Sequence, residues 1–440
     1  MQCTFMNCYF EVDMAEKNQI QDEENQAQTN GQNDVNRQIN IENKKDIDNQ
    51  KDIDNQKQAK SQNRTKSQRR TDDLRSTEKI RTPHSGRLWV INLLPFMLLL
   101  IVYGIRLSIP NNLSSFEVTY ATHINKWTIE LLSMATGLFK FSLGELILYG
   151  HVAAGVGISV LLIVRIFRGG LIKSLFRLAQ YVTILYVLFM FLWGFNYQRE
   201  SVAGIMGFEV TKYAESDLVT LTEKLISDAN RLRAYQSEDS NGIMTISGGF
   251  QQIFARARDG YFELSKTYDV FSGLYGKPKP VLASEAMLYT GITGVYFPYT
   301  AEANVNVAVP DLLLPATTLH EMAHQRGFAP EDEANFIAYI AAMAHPDKDF
   351  QYSGTILALI HTMNALYSEN ADDAMKLRAT YAEGVNRDII AYSEFWKSYE
   401  GKANEVADTV NDTYLKSNLQ EDGVKSYGKM VDLLLGYYNR

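Results

Sequence analysis

Residues 320–333 read His-Glu-Met-Ala-His-Gln-Arg-Gly-Phe-Ala-Pro-Glu-Asp-Glu, and they predict a helix, a tight turn and the start of a second helix. His320 and His324 are four residues apart, so on a helix their side chains lie on the same face. Gly327 stands where a helix commonly ends. Pro330 suits the first turn of the next helix, and the acidic residues after it favour that helix's dipole. The turn therefore brings a carboxylate close to two imidazoles.

The spacing of the two histidines is typical of a zinc site. Two imidazoles on one helical face can bind one Zn²⁺, and the neighbouring carboxylate of Glu321 can act on a water at the metal. Catalytic zinc takes a third protein ligand and keeps one position open for water. A third His six residues after His324, as in metzincins, is excluded because that position is Pro330.

Two carboxylates, Glu331 and Glu333, are the candidates for the third ligand. Glu333 is followed at helical spacing by the apolar Ile337 and Ile340, which is compatible with an inward-pointing side chain. Residues 331–335 read Glu-Asp-Glu-Ala-Asn, which resembles the Glu-x-x-Ala-Asp pattern of gluzincins. This resemblance implies that Glu331 binds zinc and that the residue at position 335, here Asn in place of Asp, supports a ligating His. We favour Glu331 and keep Glu333 as the alternative.

A wider resemblance covers about residues 88–440. The stretches 318–339, 294–306 and 141–145 are similar to segments of a bacterial membrane family catalogued as domain of unknown function 3810. The resemblance implies a membrane-anchored protein with a zincin-like domain. That family has no settled substrate, so the resemblance bears on the architecture more than on the biology.

Three apolar runs precede the histidine motif, and each is long enough to cross a hydrocarbon core of about 30 Å. They are Leu88–Ile105, Leu146–Val164 and Leu178–Tyr197. His151 interrupts the second run, which would also suit a buried core helix, but the glycines of this run are common in membrane helices. Glu145 and His151 are ionisable groups at or within this run, and the sequence assigns them no role.

Lysine and arginine predict the orientation of the three spans, because basic loops stay on the cytoplasmic side. The loop of residues 107–141 carries only Lys126 and Lys140, offset by Glu117 and Glu130. Basic residues are concentrated before the first span and between the second and third: Lys57, Lys60, Arg64, Lys66, Arg69, Arg70, Arg75, Lys79, Arg81, Arg87, Arg165, Arg168, Lys173 and Arg177. The N-terminus is therefore predicted to be cytoplasmic and residues 200–440 extracytoplasmic, in a multi-pass protein of the cell membrane.

Residues 1–86 are predicted to form a disordered cytoplasmic tail. From Met14 onward they are rich in Asn, Gln, Asp and Lys and cannot bury enough apolar surface to offset chain entropy. Short repeats such as Lys45–Gln50 and Lys51–Gln56 are typical of low-complexity tails. Both cysteines, Cys3 and Cys8, lie here, so no disulfide is expected in the folded part.

The remaining chain divides into a membrane domain, residues 87–199, and a zincin-like domain, residues 200–440. Helical periodicity dominates, but residues 280–283, 294–299 and 305–309 read as short strands. The predicted fold class is α+β, mostly helical, with a small sheet before the histidine helix. Residues Gly294–Tyr299 are expected at the sheet edge, because Pro298 disfavours a central strand.

Other polar residues have less certain roles. The predicted loop Thr300–Asn306 could line a cleft or merely turn the chain, through Glu302, Asn304 and Asn306. Zinc peptidases also need a donor to the developing oxyanion, often Tyr or His. The downstream candidates are Tyr339, His345 and His361, none of which the sequence singles out.

These patterns predict a membrane-anchored zinc metallopeptidase that cuts peptides or proteins of the cell envelope. Zn²⁺ would be held by His320, His324 and Glu331 or Glu333, with Glu321 as the general base. Two alternatives remain, a non-catalytic zinc-stabilised sensor or scaffold and a zinc hydrolase of cell-wall amides. A nucleic-acid partner is not expected, because the basic residues cluster beside the membrane without interleaved aromatics.

Overall fold

The apolar runs form three long helices in the computed structural model, which describes residues 85–418 and 429–440. By length and composition, Asn92–Asn111, Leu143–Arg168 and Leu171–Leu192 could each cross a membrane. The predicted disordered tail with its repeats and both cysteines lies outside the described residues. Residues Leu93–Arg440 belong to one compact unit.

The described residues are mostly helical, as the α+β prediction requires. The N-terminal helices are α1 (Ser85–Ser108), α2 (Leu113–Phe116), α3 (Lys126–Thr136), α4 (Leu143–Arg168), α5 (Leu171–Leu192), α6 (Val202–Met206), α7 (Glu215–Arg233), α8 (Gly249–Arg256), α9 (Arg258–Ser265) and α10 (Ser284–Leu288). The C-terminal helices are α11 (Leu314–His324), α12 (Glu331–Ala344), α13 (Lys348–Glu369), α14 (Ala371–Arg378), α15 (Glu383–Lys397), α16 (Lys402–Ser417) and α17 (Lys429–Tyr438). Helix α13 packs against α7, α11 and α12 and is buried over most of its length.

The third apolar helix begins and ends earlier than predicted, at Leu171 and Leu192. It ends at Leu192, and residues Gly194–Gln198 form a 3₁₀ turn instead of continuing to Tyr197. Trp193 and Phe195 are buried against other parts of the protein, and Asn196 donates to the side chain of Asn125. Trp193 and Phe195 are apolar because they pack inside the protein. Composition alone therefore placed the end of the third span too far along the chain.

The segment between the first two spans is helical, where the sequence suggested a loop. A π-helix, Glu117–Asn125, joins α2 to α3. Helices α4 and α5 then form an antiparallel pair joined at Gly169 and Gly170, which both have positive φ. Between these two helices, the Tyr181 hydroxyl and the His151 imidazole are hydrogen-bonded at 2.7 Å.

Two small sheets are present among the described residues. One pairs β1 (Ser237–Glu238) with β2 (Met244–Thr245), and the other has the order β3 (Lys279–Pro280), β5 (Glu302–Val305), β4 (Gly294–Phe297). Strand β4 is antiparallel to β5 and β3 is parallel to it. The predicted edge strand is confirmed over Gly294–Phe297, with Pro298 immediately beyond its end.

The predictions for residues 300–309 were wrong. Glu302 and Asn304 belong to the buried central strand β5, and the strand ends at Val305 where one was expected to begin. Glu302 forms a buried ion pair with Lys279 and accepts the amide N–H of Gly144. Glu302 resembled a loop residue because its buried partners, Lys279 and Gly144, lie far from it in the sequence.

A buried ion pair ties the connection between the first two candidate membrane helices to the C-terminal helices. Arg199 contacts the carboxylate of Glu117 at 2.5 Å, and the side chains are 3% and 9% exposed. The same guanidinium donates to the carbonyls of Arg326 and Gly327, at the end of α11. It also lies over the ring of Phe328 at 4.2 Å. Arg199 therefore joins the first connecting segment to the turn after the histidine helix.

We expect Arg199→Ala to destabilise the protein severely. It leaves the Glu117 carboxylate buried without its charged partner, which typically costs about 3–5 kcal/mol. Arg231→Ala is the matched control, because Arg231 pairs with Asp228 at the surface, where such pairs contribute about 0.2–1 kcal/mol. Thermal unfolding in detergent should show a clear loss of midpoint temperature for Arg199→Ala alone. Equal midpoints for the two variants would contradict this account of the junction.

Candidate metal centre

Helix α11 is held at both ends by buried polar contacts. At its start, the backbone N–H of Ala316 donates to Ser353 Oγ on α13. At its end, Gly327 adopts a φ of 80°, and the N–H groups of Gly327 and Phe328 donate to the carbonyls of His324 and Ala323. This pattern is a Schellman motif, which requires the left-handed conformation that glycine adopts without strain. The predicted helix end is therefore confirmed, and α12 begins at Glu331 as its acidic first turn predicted.

Arg326 adds a positive charge to the carboxyl end of α11. Its guanidinium donates to the carbonyl of Met322 at 2.9 Å and to that of Phe271 at 3.0 Å. It also lies over the ring of Tyr261 at 3.6 Å, and the hydroxyl of Tyr261 donates to the carbonyl of Leu319. A cation here favours the negative end of the helix dipole. The histidine helix is thus fixed in position before any ligand binds.

Both histidines point Nε2 toward the same space. His324 Nδ1 lies 2.7 Å from the carbonyl oxygen of Phe328, which can only accept, so Nδ1 carries the proton. His320 Nδ1 lies 2.8 Å from Asn335 Oδ1 and donates to it. Both Nε2 atoms are then left with a free lone pair in the neutral imidazole. Asn335 has the role that the gluzincin-like pattern implied.

Glu331 is the carboxylate that meets the two imidazoles. Its oxygens lie 3.2 Å from His320 Nε2 and 3.5 Å from His324 Nε2. One ligand atom from each of these three residues lies within 4.8 Å of the others. The side chain of Glu331 keeps 16% exposure, against 1% and 6% for the histidines, so solvent reaches the cluster beside Glu331.

Glu333 does not belong to this cluster. Its carboxylate accepts the backbone N–H of Val202 at 2.9 Å, on a different side of α12. Burial and the nearby carboxylate of Asp332 raise the pKa of Glu333 to about 8. The structure therefore brings Glu331, and not Glu333, to the histidines.

Glu321 is buried between the histidine helix and the edge strand β4. The backbone N–H of Tyr296 is hydrogen-bonded to its carboxylate, and Gly294 lies directly against it. A Cβ atom at position 294 would come within 2.4 Å of Glu321 Oε1, so only glycine leaves room for the carboxylate. Burial raises the pKa of Glu321 to about 7. A carboxylate with that pKa can both accept and return a proton near neutral pH.

Burial and charge oppose each other at the remaining groups of the cluster. Burial lowers the pKa of His320 to about 4. Burial also disfavours a charge on His324, but the carboxylates of Glu331 and Glu321 outweigh it and raise its pKa. The two imidazoles likewise outweigh burial at Glu331 and hold its pKa well below the usual range. The interior around the cluster favours an ionised Glu331 facing positive charge.

Three aromatic residues beside the cluster were not predicted from the sequence. Trp193 meets the ring of His324 edge-to-face at 5.4 Å, and its Nε1–H donates to the hydroxyl of Tyr414 at 3.0 Å. The hydroxyl of Tyr197 donates to the same oxygen at 3.2 Å. Burial raises the pKa of both tyrosines, and the negative charge of Glu331 adds to the shift. Trp193 and Tyr197 were missed because the sequence placed them within the third membrane span, which ends at Leu192.

Two predicted oxyanion donors have hydrogen-bond partners elsewhere. The hydroxyl of Tyr339 bonds to that of Tyr438, and the His345 ring bonds to the carbonyl of Arg256 and the N–H of Asp347. His361 is buried within α13. Glu145, left unassigned above, accepts the N–H groups of residues 282 and 283 and so holds the chain that follows β3. Tyr339, His345 and Glu145 therefore have structural contacts.

The donor set fits a divalent metal. Among the described residues, His320 Nε2 and one oxygen each of Glu331 and Glu321 are buried and have no hydrogen-bond partner. A buried polar atom without a partner costs about 1–3 kcal/mol, so this interior calls for a cation or a bound water. Two imidazole nitrogens and a carboxylate oxygen are the ligands of many catalytic zinc sites.

Comparison with known proteins identifies the family. The sequences described as "Protein of unknown function (DUF3810)" match residues 120–435, and the chain belongs to this family. No curated protein and no solved structure matches the chain.

Glu331→Gln and Glu333→Gln separate the two candidate ligands. We expect Glu331→Gln to weaken zinc binding by more than about 100-fold, because even groups that only orient a ligand contribute about 10- to 100-fold. Glu333→Gln should bind zinc as the wild type does, since its amide oxygen still accepts the N–H of Val202. Metal content after dialysis against a zinc buffer measures both. Retention by Glu331→Gln with loss by Glu333→Gln would reverse the assignment.

Proposed function

We propose that this member of the family is a membrane-anchored zinc peptidase, with His320, His324 and Glu331 as the metal ligands. The observation that supports it most is the position of Glu321, which is buried beside these three groups but is not one of the three that could hold a metal. A purely structural zinc usually has four protein ligands. Within residues 85–418 and 429–440, the group that could hold a metal has three. That count favours a site with an open position over a stabilising one.

Zinc bound there would lower the pKa of a water toward about 7 and polarise the carbonyl of a substrate. The residues of this chain would do the remaining work. Asn335 and the carbonyl of Phe328 hold the imidazoles in one tautomer and orientation. Glu321 takes the proton from the attacking water and passes it to the leaving amine. Its position supports this role, because the carboxylate is buried under β4 next to the proposed metal ligands.

The tyrosine pair beside Glu331 suits a second role. A peptide carbonyl under attack develops negative charge, and a hydroxyl donor nearby stabilises it. The hydroxyl of Tyr414 already accepts from Trp193 and Tyr197, so its own proton is left to donate to another group. Tyr414 also lies on α16, outside the metal-binding helices. We assign the oxyanion contact to Tyr414, supported by Tyr197.

Strand β4 offers a place for an extended substrate. It lies at the edge of its sheet and directly flanks Glu321. Extended peptides commonly bind by adding a strand to such an edge. With the basic residues placed in the cytoplasm, the site would act on the extracytoplasmic face, on polypeptides of the cell envelope.

Glu321→Gln is expected to keep zinc and to lose hydrolysis by about 10²- to 10⁴-fold, because it removes the proton acceptor and leaves the ligands unchanged. Purified full-length protein in detergent, tested on a peptide library with metal content measured in parallel, provides the test. Full activity in Glu321→Gln would exclude this mechanism. Zinc without any hydrolysis in the wild type would favour an envelope sensor or scaffold, and activity restricted to cell-wall amides would change the substrate class.

Tyr414→Phe is expected to lower kcat by about 10²- to 10³-fold with zinc content unchanged, the usual effect of losing one oxyanion donor. Tyr289→Phe is the matched control, since Tyr289 is exposed. Steady-state kinetics on a peptide found in the library separate kcat from KM. A change confined to KM would show that Tyr414 binds substrate and does not stabilise the oxyanion.

A further inference from the structure

Helix α3 has one face packed firmly against the C-terminal region. The Lys126 amine donates to Ser272 Oγ at 3.1 Å, and Ser133 Oγ accepts the N–H of Gly276 at 3.2 Å. Ile129 between them is 1% exposed. It belongs to a buried cluster with Trp193 and Tyr296, the residues that flank His324 and Glu321. One side of α3 is therefore part of the wall behind the metal centre.

The opposite face of α3 is a row of large apolar side chains that the described part of the chain leaves uncovered. They follow one another at helical spacing and continue past the end of the helix: Trp127 (66% exposed), Leu131 (66%), Met134 (43%) and Leu138 (84%). Soluble surfaces carry single exposed apolar residues, but a continuous row of this kind marks an interaction surface. We call these four residues the α3 stripe.

The position of α3 in the chain indicates what covers the stripe. Helix α3 lies in the chain between the first candidate span, which ends at Asn111, and the second, which begins at Leu143. It therefore lies on the same side of the membrane as the chain that leaves the third span at Leu192. The link from Thr136 to Leu143 is only residues 137–142, which keeps the end of α3 near the bilayer surface. The apolar side chains of the adjoining spans are themselves exposed in the same way.

The chemistry of the stripe matches a lipid interface. Tryptophan is enriched at the boundary between head groups and acyl chains, where its ring has one apolar and one hydrated end. An amphipathic helix lying in the membrane plane buries such a stripe among the lipids, and basic residues beside it attract anionic head groups. Lys140, two residues beyond Leu138, is exposed and lies at the end of the stripe.

We propose that the α3 stripe lies in the bilayer interface and thereby holds the metal centre at the membrane surface. Ile129 connects the buried face of α3 to Trp193, and Trp193 contacts His324. The site and the stripe are therefore two sides of one packed layer. A polypeptide reaching the site has to lie close to the lipid. This consequence rests on the proposed function. If the site is a peptidase, its substrates are membrane-tethered polypeptides, which it cuts near their anchors.

Spin-label accessibility at Leu131 tests the stripe without any enzymatic assay. The full-length protein with Cys3→Ser and Cys8→Ser has no other cysteine, so Leu131→Cys can be labelled alone. In nanodiscs of neutral and anionic phospholipid, the label should collide more with oxygen, which concentrates in lipid, than with a water-soluble nickel complex. Val156→Cys, on the exposed face of α4, is the lipid control, and Tyr289→Cys is the water control.

Three patterns are distinguishable in this experiment. A ratio of oxygen to nickel collisions at position 131 that is well above that at position 289, and no higher than that at the mid-span position 156, supports the proposal. A ratio close to that at position 289 overturns it, because the stripe would then face water. Low collision rates with both reagents also overturn it, because a second protein copy would then cover the stripe.

The substrate class is tested separately by comparing envelope-protein fragments from cells with the wild type and with Glu321→Gln. Cut sites that disappear in Glu321→Gln should lie within about ten residues of a membrane anchor, since an extended chain of that length spans roughly 33 Å. Cut sites far from any anchor would overturn the membrane-tethered class. Identical fragments in the two strains would count against the proposed peptidase activity. They would not affect the spin-label test, which concerns only the position of the α3 stripe.

Discussion

The interior between α11 and α12 holds two imidazoles and two carboxylates side by side, and this concentration of buried polar groups constrains the rest of the structure. His320 and Asn335 are inaccessible to solvent, and His324 and Glu321 are almost so. Leaving such atoms without partners costs about 1–3 kcal/mol each. A cation bound between Glu331 and the two Nε2 atoms would satisfy them at once. The surrounding packing would hold these groups in position to bind that ion.

The membrane segments contribute directly to this arrangement. Arg199 links the Glu117 carboxylate to the turn after α11, and Trp193 packs on His324. Glu145 holds the residues after β3, the outer strand of the sheet that carries β4. The proposed catalytic unit is therefore not confined to the polar region after the third apolar helix. It includes the connections between the apolar helices, and this is why the α3 stripe bears on the position of the site.

Local patterns could be predicted from the sequence and long-range pairing could not. The histidine spacing, Gly327 and the acidic turn at residues 331–333 predicted two helices and the turn between them, because helix ends obey local rules. Glu302 was misread as a loop residue because its partner Lys279 lies 23 positions away. The sequence also could not show that Glu333 turns toward Val202, nor that Trp193 and Tyr197 leave the third span. Gly294 carried the one local signal, a glycine within a strand pattern, that marks a close approach.

Zinc-edge X-ray absorption of the purified full-length protein tests the central claim most directly. The account predicts one zinc per chain, with two imidazoles and oxygen ligands at about 2.0–2.2 Å, one of them from solvent. Glu331→Gln should lose this signature, and Glu321→Gln should keep it. A protein that binds no stoichiometric zinc, or that surrounds it with four protein side chains and no solvent, would contradict the proposed centre.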